Sequence, residues 1–325
     1  MKFGVLQFFS WPERRVALTE VYRRAIERIE IMDQGGYDAV WLAEHHFSTY
    51  SVCPSVHLMG MHVADRTKNI RIGTGVSLAA FYHPLRLAEE VALLDNLSGG
   101  RVNWGAGRGF DRTEMENFDV PIEESYDRFR ENVEIVLKAW ADGAMSHQGK
   151  YHTFNDVEVL PKPLQDPMPL SMAGSGDEAV QWSAEQGFAL MMDPHSTHQE
   201  IGRKRALYEE TLKSNGYSHR LDTPVARLIA IAETDEKAEA VARAGAEWTV
   251  GGYASGTRGG PPGLASPEER VEQYVNETII HGSPAKVADQ LLQLEEEVGI
   301  DYLLASILSH ETFMKLTDEV LPKIL

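Results

Sequence analysis

The stretch IRIGTGVSLAAFYHPLRLAEEVALLDNLSGGRVNWGAGRGF, residues 70–110, reads as one complete strand–helix–strand unit. Ile70–Val76 is a short, β-branched run, and Val102–Gly105 repeats that habit after a helix. Between them Tyr82-His83-Pro84 opens the helix, whose apolar stripe includes Leu87, Val91 and Leu94. Strands this continuously apolar are those of a parallel sheet covered on both faces. Working outward, the same kind of run recurs at Phe3–Gln7, Ala39–Ala43, Leu170–Ala173, Phe188–Met192, Val225–Ala232 and Tyr302–Ser306.

Amphipathic segments separate these runs. Val21, Ala25, Ile29 and Met32 share one helical face, as do Phe129, Val133, Val136 and Trp140, and again Val287, Leu291, Leu294 and Val298. Ser283 followed by Pro284 reads as an N-cap with proline at the first helical position, and Gly299 ends that helix. The tail Glu311–Leu325 supplies a last helix. Strand and helix alternating over this length predict an α/β fold, a (β/α)8 TIM barrel with insertion segments, as one domain over residues 1–325. A doubly wound open sheet is the competing solution, and periodicity does not separate the two. Phe110–Glu124 and the glycine- and proline-rich Gly251–Pro267 exceed a normal strand–helix connection. The second is expected to form neither helix nor strand and to act as a mobile loop.

The 31 basic and 49 acidic side chains give a formal charge of −18, which argues against nucleic acid or an anionic membrane as partner. No run of about 18 apolar residues reads as a membrane span. The single cysteine, Cys53, builds neither an internal disulfide nor a zinc site by itself. MKFGVLQFFSWPERR at the N-terminus reads as a first buried strand rather than a signal peptide, and the cytoplasm is the expected compartment.

Chemistry is expected at strand ends. WLAEHHF, residues 41–47, closes the second strand, and catalytic groups of a barrel sit at the C-terminal ends of strands. Neighbouring residues on a strand point to opposite faces, so His45 and His46 read poorly as a metal pair. One histidine is expected inward for proton handling, the other, with Glu44, outward or toward a subunit contact. In Arg101–Phe110 the spacing fails the G-x-G-x-x-G fingerprint, because its third glycine falls on Phe110. Gly105 and Gly107 nevertheless let a flat ligand approach the backbone, and Arg108 offers a bidentate grip on a phosphate. The alternative there is a tight turn with a surface arginine. Gly174, Ser175 and Gly176 would present backbone N–H groups at the start of the helix Glu178–Glu185, a second anion site facing Arg108; Asp177 could equally make it a routine N-cap. Gly75 ends the third strand, His83 before proline reads as structural, and His195 after Asp193-Pro194 is either a ligand contact or part of a plain turn.

These segments together resemble the luciferase-like flavin-dependent monooxygenases, the superfamily of bacterial luciferase. The resemblance runs nearly end to end through WLAEHHF at 41–47, the 70–110 stretch quoted above, and GSPAKVADQLLQLEEEVGIDYLL at 282–304. It implies a (β/α)8 barrel, a homodimer packed through its early helices, and FMN, as FMNH2 from a separate reductase, at the strand C-termini. It further implies that Arg108 and the 174–176 turn hold the phosphate, that His45 is the catalytic histidine, and that Gly75-Val76 is a cis peptide beneath the ring. The implied reaction forms a flavin C4a-hydroperoxide from O2 and oxygenates a small organic substrate, alkanal-like or similar. Gly107 stands where luciferase has a cysteine, which argues against light emission, and Gly174 where it has a glutamate. The alternatives are an F420-dependent oxidoreductase of the same superfamily and, from another class, a metal-dependent barrel hydrolase.

Overall fold

The computed structural model describes residues 1–218, 221–252 and 266–324. Its strands are β1 (Lys2–Gln7), β2 (Ala39–Leu42), β3 (Arg71–Thr74), β4 (Ser77–Leu78), β5 (Val102–Gly107), β6 (Met145–Gln148), β7 (Thr153–Val157), β8 (Leu170–Ala173), β9 (Ala189–Met191), β10 (Val225–Ile231), β11 (Ile280–Gly282) and β12 (Tyr302–Ile307). Each of the strand runs expected from the sequence is present, and helices separate them. The fold is α/β on parallel strands. Four short strands, β4, β6, β7 and β11, were not signalled by apolar runs; β6 and β7 are largely polar and pair antiparallel as a hairpin.

The chain divides into two units, one of Met1–Gln7, Gln34–Val40 and Ser171–Leu325, the other of Phe8–Asp33 and Trp41–Leu170. In the first, β12 pairs in parallel with β1 (Phe3↔Leu303) and with β10 (Val225↔Leu303). There too β10 pairs with β11, β8 with β9, and an isolated parallel bridge joins Met192 to Val225. Its helix Pro284–Val298 buries Val287, Leu291 and Leu294 as the spacing predicts, and Gly299 closes it in the left-handed conformation at φ 72°. Ser283 sits at the N-cap but makes no side-chain cap bond.

In the second unit β3 and β4 both pair in parallel with β5, through Ile72↔Val102 and Ser77↔Ala106. The strand expected over Ile70–Val76 ends at Thr74 as β3; the cis peptide Gly75-Val76 follows it, and β4 starts beyond, at Ser77. The SGGR turn that follows the quoted helix is structural. Asp95, fully buried, accepts from the backbone N–H groups of Leu164 (2.8 Å) and Gln165 (2.9 Å). Arg101 donates to the carbonyls of Ala64, Thr67, Ile70 and Ser98, satisfying groups at the end of one helix and the start of β3. The most recognisable motif therefore secures the strand bases, leaving the strand tips for chemistry.

Packing at the tips of β3 and β5 leaves no room for a side chain at Gly105, where a Cβ would lie 2.0 Å from the Thr74 carbonyl oxygen. Thr74 Oγ1 also exchanges hydrogen bonds with the Gly105 backbone at 2.7 and 2.8 Å. Backbone cannot retreat as a flexible side chain can. Gly105→Ala is expected to lower unfolding stability by about 3 kcal/mol, the upper end of overpacking costs, read from the urea midpoint.

Two expectations about connections need correction. Phe110–Glu124 is not an open loop: Asp111 caps a helix at Arg112–Asn117, its side chain accepting from Thr113 N–H, and a short 3-10 turn follows at Ile122–Glu124. Gly251 and Gly252 end the helix Asp235–Gly252, and Pro267 opens the helix Pro267–Gln273 behind a Ser266 capping box. The remainder of the expected mobile loop, 253–265, lies outside the described residues.

Candidate active site

Strand β2 stops at Leu42, so Ala43–His46 are no longer strand and the alternation rule does not govern them. Strand alternation is therefore no ground for setting one histidine inward and the other outward. Both His45 and His46 are largely buried, and each faces a buried glutamate. His45 Nδ1 lies 3.4 Å from Glu114 Oε1, and His46 Nε2 lies 3.1 Å from Glu44 Oε1. Glu44, only 2% exposed, is not a surface or subunit-contact residue. It also accepts from Tyr82 Oη (3.1 Å) and from Leu78 N–H (3.4 Å), tying the 41–47 segment to β4.

Glu114, 1% exposed, was not singled out from the sequence; it follows the Gly-rich strand end on a helix too short to show a period. Its Oε1 accepts the His46 N–H at 2.8 Å, while its Oε2 is buried with no hydrogen-bond partner among the described residues. An orphaned buried carboxylate oxygen marks a place where a ligand or water donor is expected. With Glu114 as a carboxylate, which only accepts, a neutral His45 carries its proton on Nδ1 and leaves Nε2 as the acceptor.

Aromatic rings enclose this cluster. Phe8 stacks on His45 with centroids 6.0 Å apart, Tyr50 and Phe110 meet it edge-on at 5.3 and 6.3 Å, and Phe118 meets His46 edge-on at 4.7 Å. Phe47 and Phe118 continue the group, and Phe47 is exposed. Cys53, whose carbonyl accepts the His45 N–H, has its thiol pushed up to about 12 by burial and by the Glu44 carboxylate, so it is inert at neutral pH.

Arg108 stands at the end of β5, two residues before Phe110. It is not a loose surface arginine: its Nη1 donates to Ser125 Oγ at 3.0 Å, and its guanidinium lies over the Tyr126 ring at 4.0 Å. Ser125, fully buried, donates in turn to the Ile122 carbonyl at 2.6 Å. The guanidinium is thereby aimed in advance, and its Nε and Nη2 donate no hydrogen bond to the described residues. The second unit thus brings His45, Gly75, Val76, Gly107 and Arg108 onto the tips of β2–β5.

Gly174, Ser175 and Gly176 belong to the first unit. Gly174 N–H donates to the Met191 carbonyl at 3.1 Å, Ser175 is exposed, and Gly176 is the N-cap of the helix Asp177–Glu185 with no side-chain cap bond. Asp177 does not cap that helix; it pairs with Arg203 at 2.6 Å. No side chain caps this helix start. Also in this unit, Asp193 accepts from the backbone N–H groups of His195 (2.9 Å) and Ser196 (2.8 Å), a turn tightened by the fully buried Arg227, which donates to the Asp193 and Ser196 carbonyls. His195 meets the Tyr274 ring edge-on at 6.0 Å.

His198 opens the next helix, and burial, with Arg227 nearby, pushes its imidazole down to about 4. The unfolded chain titrates near 6.5, so between those values it binds more protons than the folded one. Stability is therefore whole above about pH 6.5 and falls as pH drops toward 4, by an amount of order 3 kcal/mol. His198→Gln is expected to flatten that acid limb in urea unfolding between pH 7 and 5.

A parallel α/β fold that carries a histidine–carboxylate cluster and a pre-aimed guanidinium at strand tips of one sheet has the layout of a small-molecule site. The luciferase-like monooxygenase family model matches residues 1–302, and the chain belongs to that family. It is 31% identical over 221 residues to y4vJ, an uncharacterised protein of Sinorhizobium fredii, covering 67% of this chain and 63% of that one, so less than two thirds of that relative is spanned. It is 28% identical over 247 residues to the oxygenase component of a flavin-dependent trigonelline monooxygenase of Acinetobacter baylyi, covering 74% and 68% of the two chains. Among solved structures its fold matches the oxygenating constituent of 3,6-diketocamphane monooxygenase from Pseudomonas putida, in complex with FMN, at TM-score 0.83 and 21% identity, covering 100% and 99% of the chains. It also matches an F420-dependent secondary alcohol dehydrogenase at TM-score 0.80 and 17% identity, covering 100% and 99%.

Proposed function

We propose that the protein is the oxygenase of a two-component flavin monooxygenase, using FMNH2 supplied by a separate reductase to oxygenate a small organic substrate, alkanal-like or similar. The observation that carries this reading is Arg108, oriented at the end of β5 by Ser125 and Tyr126, with its Nε and Nη2 making no hydrogen bond among the described residues. A guanidinium fixed in this way suits a phosphate monoester, which it can grip bidentately. Gly107 and the Gly75-Val76 backbone give a flat ring a surface with little side-chain bulk. For the 174–176 turn we propose anion binding at the uncapped helix start. Reduced FMN, when bound, supplies the electrons that activate O2 for transfer of one oxygen atom.

The chain's own part is positioning, exclusion of water and proton handling. The rings of Phe8, Tyr50, Phe110 and Phe118 shield His45 and His46, and His45 Nε2, held as an acceptor by Glu114, takes or returns a proton. The Nδ1 contact at 3.4 Å is long, as such contacts are before a ligand tightens them. The trigonelline enzyme is by name the oxygenase component of its system, which supports a separate reductase here. The parallel bridge from Met192 to Val225 supports the (β/α)8 arrangement in a single catalytic domain. Exposed Leu58 (75%) and Leu97 (61%), on the helices Val56–Arg66 and Pro84–Ser98, support a homodimer through early helices. No helix of the described residues is long and apolar enough to cross a membrane; the cytoplasm is the compartment we propose.

The competing reading within the family is a deazaflavin enzyme. Mixing the protein with reduced FMN or reduced F420 under oxygen separates them. Oxygen uptake tied to reduced FMN supports the proposal; hydride transfer from reduced F420 with no oxygen uptake overturns it. Among the described residues no three His, Cys, Asp or Glu side chains form a metal-ligand set.

A further inference from the structure

His57 takes no part in the reading above, yet both of its ring nitrogens are committed. It lies on the helix Val56–Arg66 and is 4% exposed. Its Nδ1 is 3.0 Å from Glu90 Oε2, on the helix Pro84–Ser98, and its Nε2 is 2.9 Å from Ser77 Oγ, on β4. Glu90 is held by Arg86 Nε at 2.7 Å, and the His57 and Arg86 bonds keep its carboxyl below the usual carboxylate range. An ionised carboxylate only accepts, so Nδ1 carries a proton, and in the neutral imidazole the Ser77 hydroxyl donates to Nε2.

The strand this bond reaches needs such support. β4 is two residues long, with Ser77 facing Ala106 and Leu78 facing Gly107 in register. So short a ladder holds little on its own account. Ser77 is fully buried and follows Val76 directly. Its neighbour in register, Ala106, precedes Gly107 and Arg108. We propose that His57 is a positioning residue: through Nε2 it fixes Ser77, and with it the 75–78 backbone that lines the cofactor side of this unit. The tie itself stands apart from the flavin reading; only its consequence for cofactor affinity rests on that reading.

Two conservative variants divide the two arms of the imidazole. His57→Asn keeps a group near Nδ1 and so preserves the Glu90 contact alone, whereas His57→Gln keeps one near Nε2 and so preserves the Ser77 contact. Backbone hydrogen exchange of the full-length protein, followed by mass spectrometry, reads the result without cofactor. His57→Asn is expected to speed exchange across 75–80 by about tenfold, His57→Gln by less than about twofold, with the helix Ser125–Trp140 unchanged in both. Ser77→Ala, which leaves the His57–Glu90 pair intact, is expected to reproduce the Asn variant and serves if the latter does not fold. Equal exchange in the Asn and Gln variants, or acceleration by Gln alone, overturns the proposal. So does a Ser77→Ala variant that exchanges like wild type. Where wild type binds FMN, His57→Asn is expected to weaken it about fivefold and His57→Gln to leave it unchanged. A wild type that binds no FMN defeats the cofactor reading and leaves the exchange result to decide the role of His57.

Discussion

Arg108→Ala is expected to weaken FMN binding by about 10- to 100-fold while leaving riboflavin affinity nearly unchanged. The size follows from a charge-assisted hydrogen bond, about 1.5–3 kcal/mol, with about 1.4 kcal/mol per tenfold in affinity. The contrast with riboflavin follows from chemistry, since that flavin lacks the phosphate. Arg108 brings an organised guanidinium to the interaction, its Nη1 on Ser125 and its face on Tyr126, so little ordering cost falls on binding. Fluorescence titration with the two flavins measures both arms. An equal loss for each would mean that the substitution disturbs the β5 tip in general rather than a phosphate grip.

The second large effect is expected at His45. His45→Gln removes the ring nitrogen that Glu114 leaves as an acceptor, and the turnover of reduced FMN with O2 and substrate should fall by about 10²- to 10⁴-fold, the usual range for a positioned proton-transfer group. FMN affinity should change far less, since the phosphate grip lies elsewhere. His46→Gln is a useful contrast. His46 faces Glu44, which also holds Tyr82 and Leu78, so that variant should cost stability more than rate. Stopped-flow rates beside urea midpoints distinguish the two histidines; equal rate losses would remove the special role of His45.

Much of this fold could be read directly. Runs such as Leu170–Ala173 and Val225–Ile231 are mostly apolar, each broken by one polar residue, Ser171 or Arg227, and that pattern needs no alignment to see. The hairpin of β6 and β7 escaped because its residues are mostly exposed and carry no apolar signal. Arg108 was legible as a cation at a glycine-lined strand end, but Ser125 and Tyr126, which aim it, were not. They start a helix some seventeen residues on, and nothing local ties them to a guanidinium. Glu114 was hidden for the same reason, being 69 residues from the histidine it faces. The reading of His45 and His46 assumed strand geometry past Leu42, where the strand has ended; two residues of broken ladder suffice to free a side chain from alternation.

The arrangement of FMN on the tips of β3–β5 is the claim on which the functional reading stands, and a crystal structure of the FMN complex tests it most directly. The account predicts phosphate oxygens about 3 Å from the Arg108 guanidinium, the ordinary hydrogen-bond distance, with the ring against the Gly75-Val76 backbone. A phosphate bound away from Arg108, with that side chain still resting only on Ser125 and Tyr126, would contradict it.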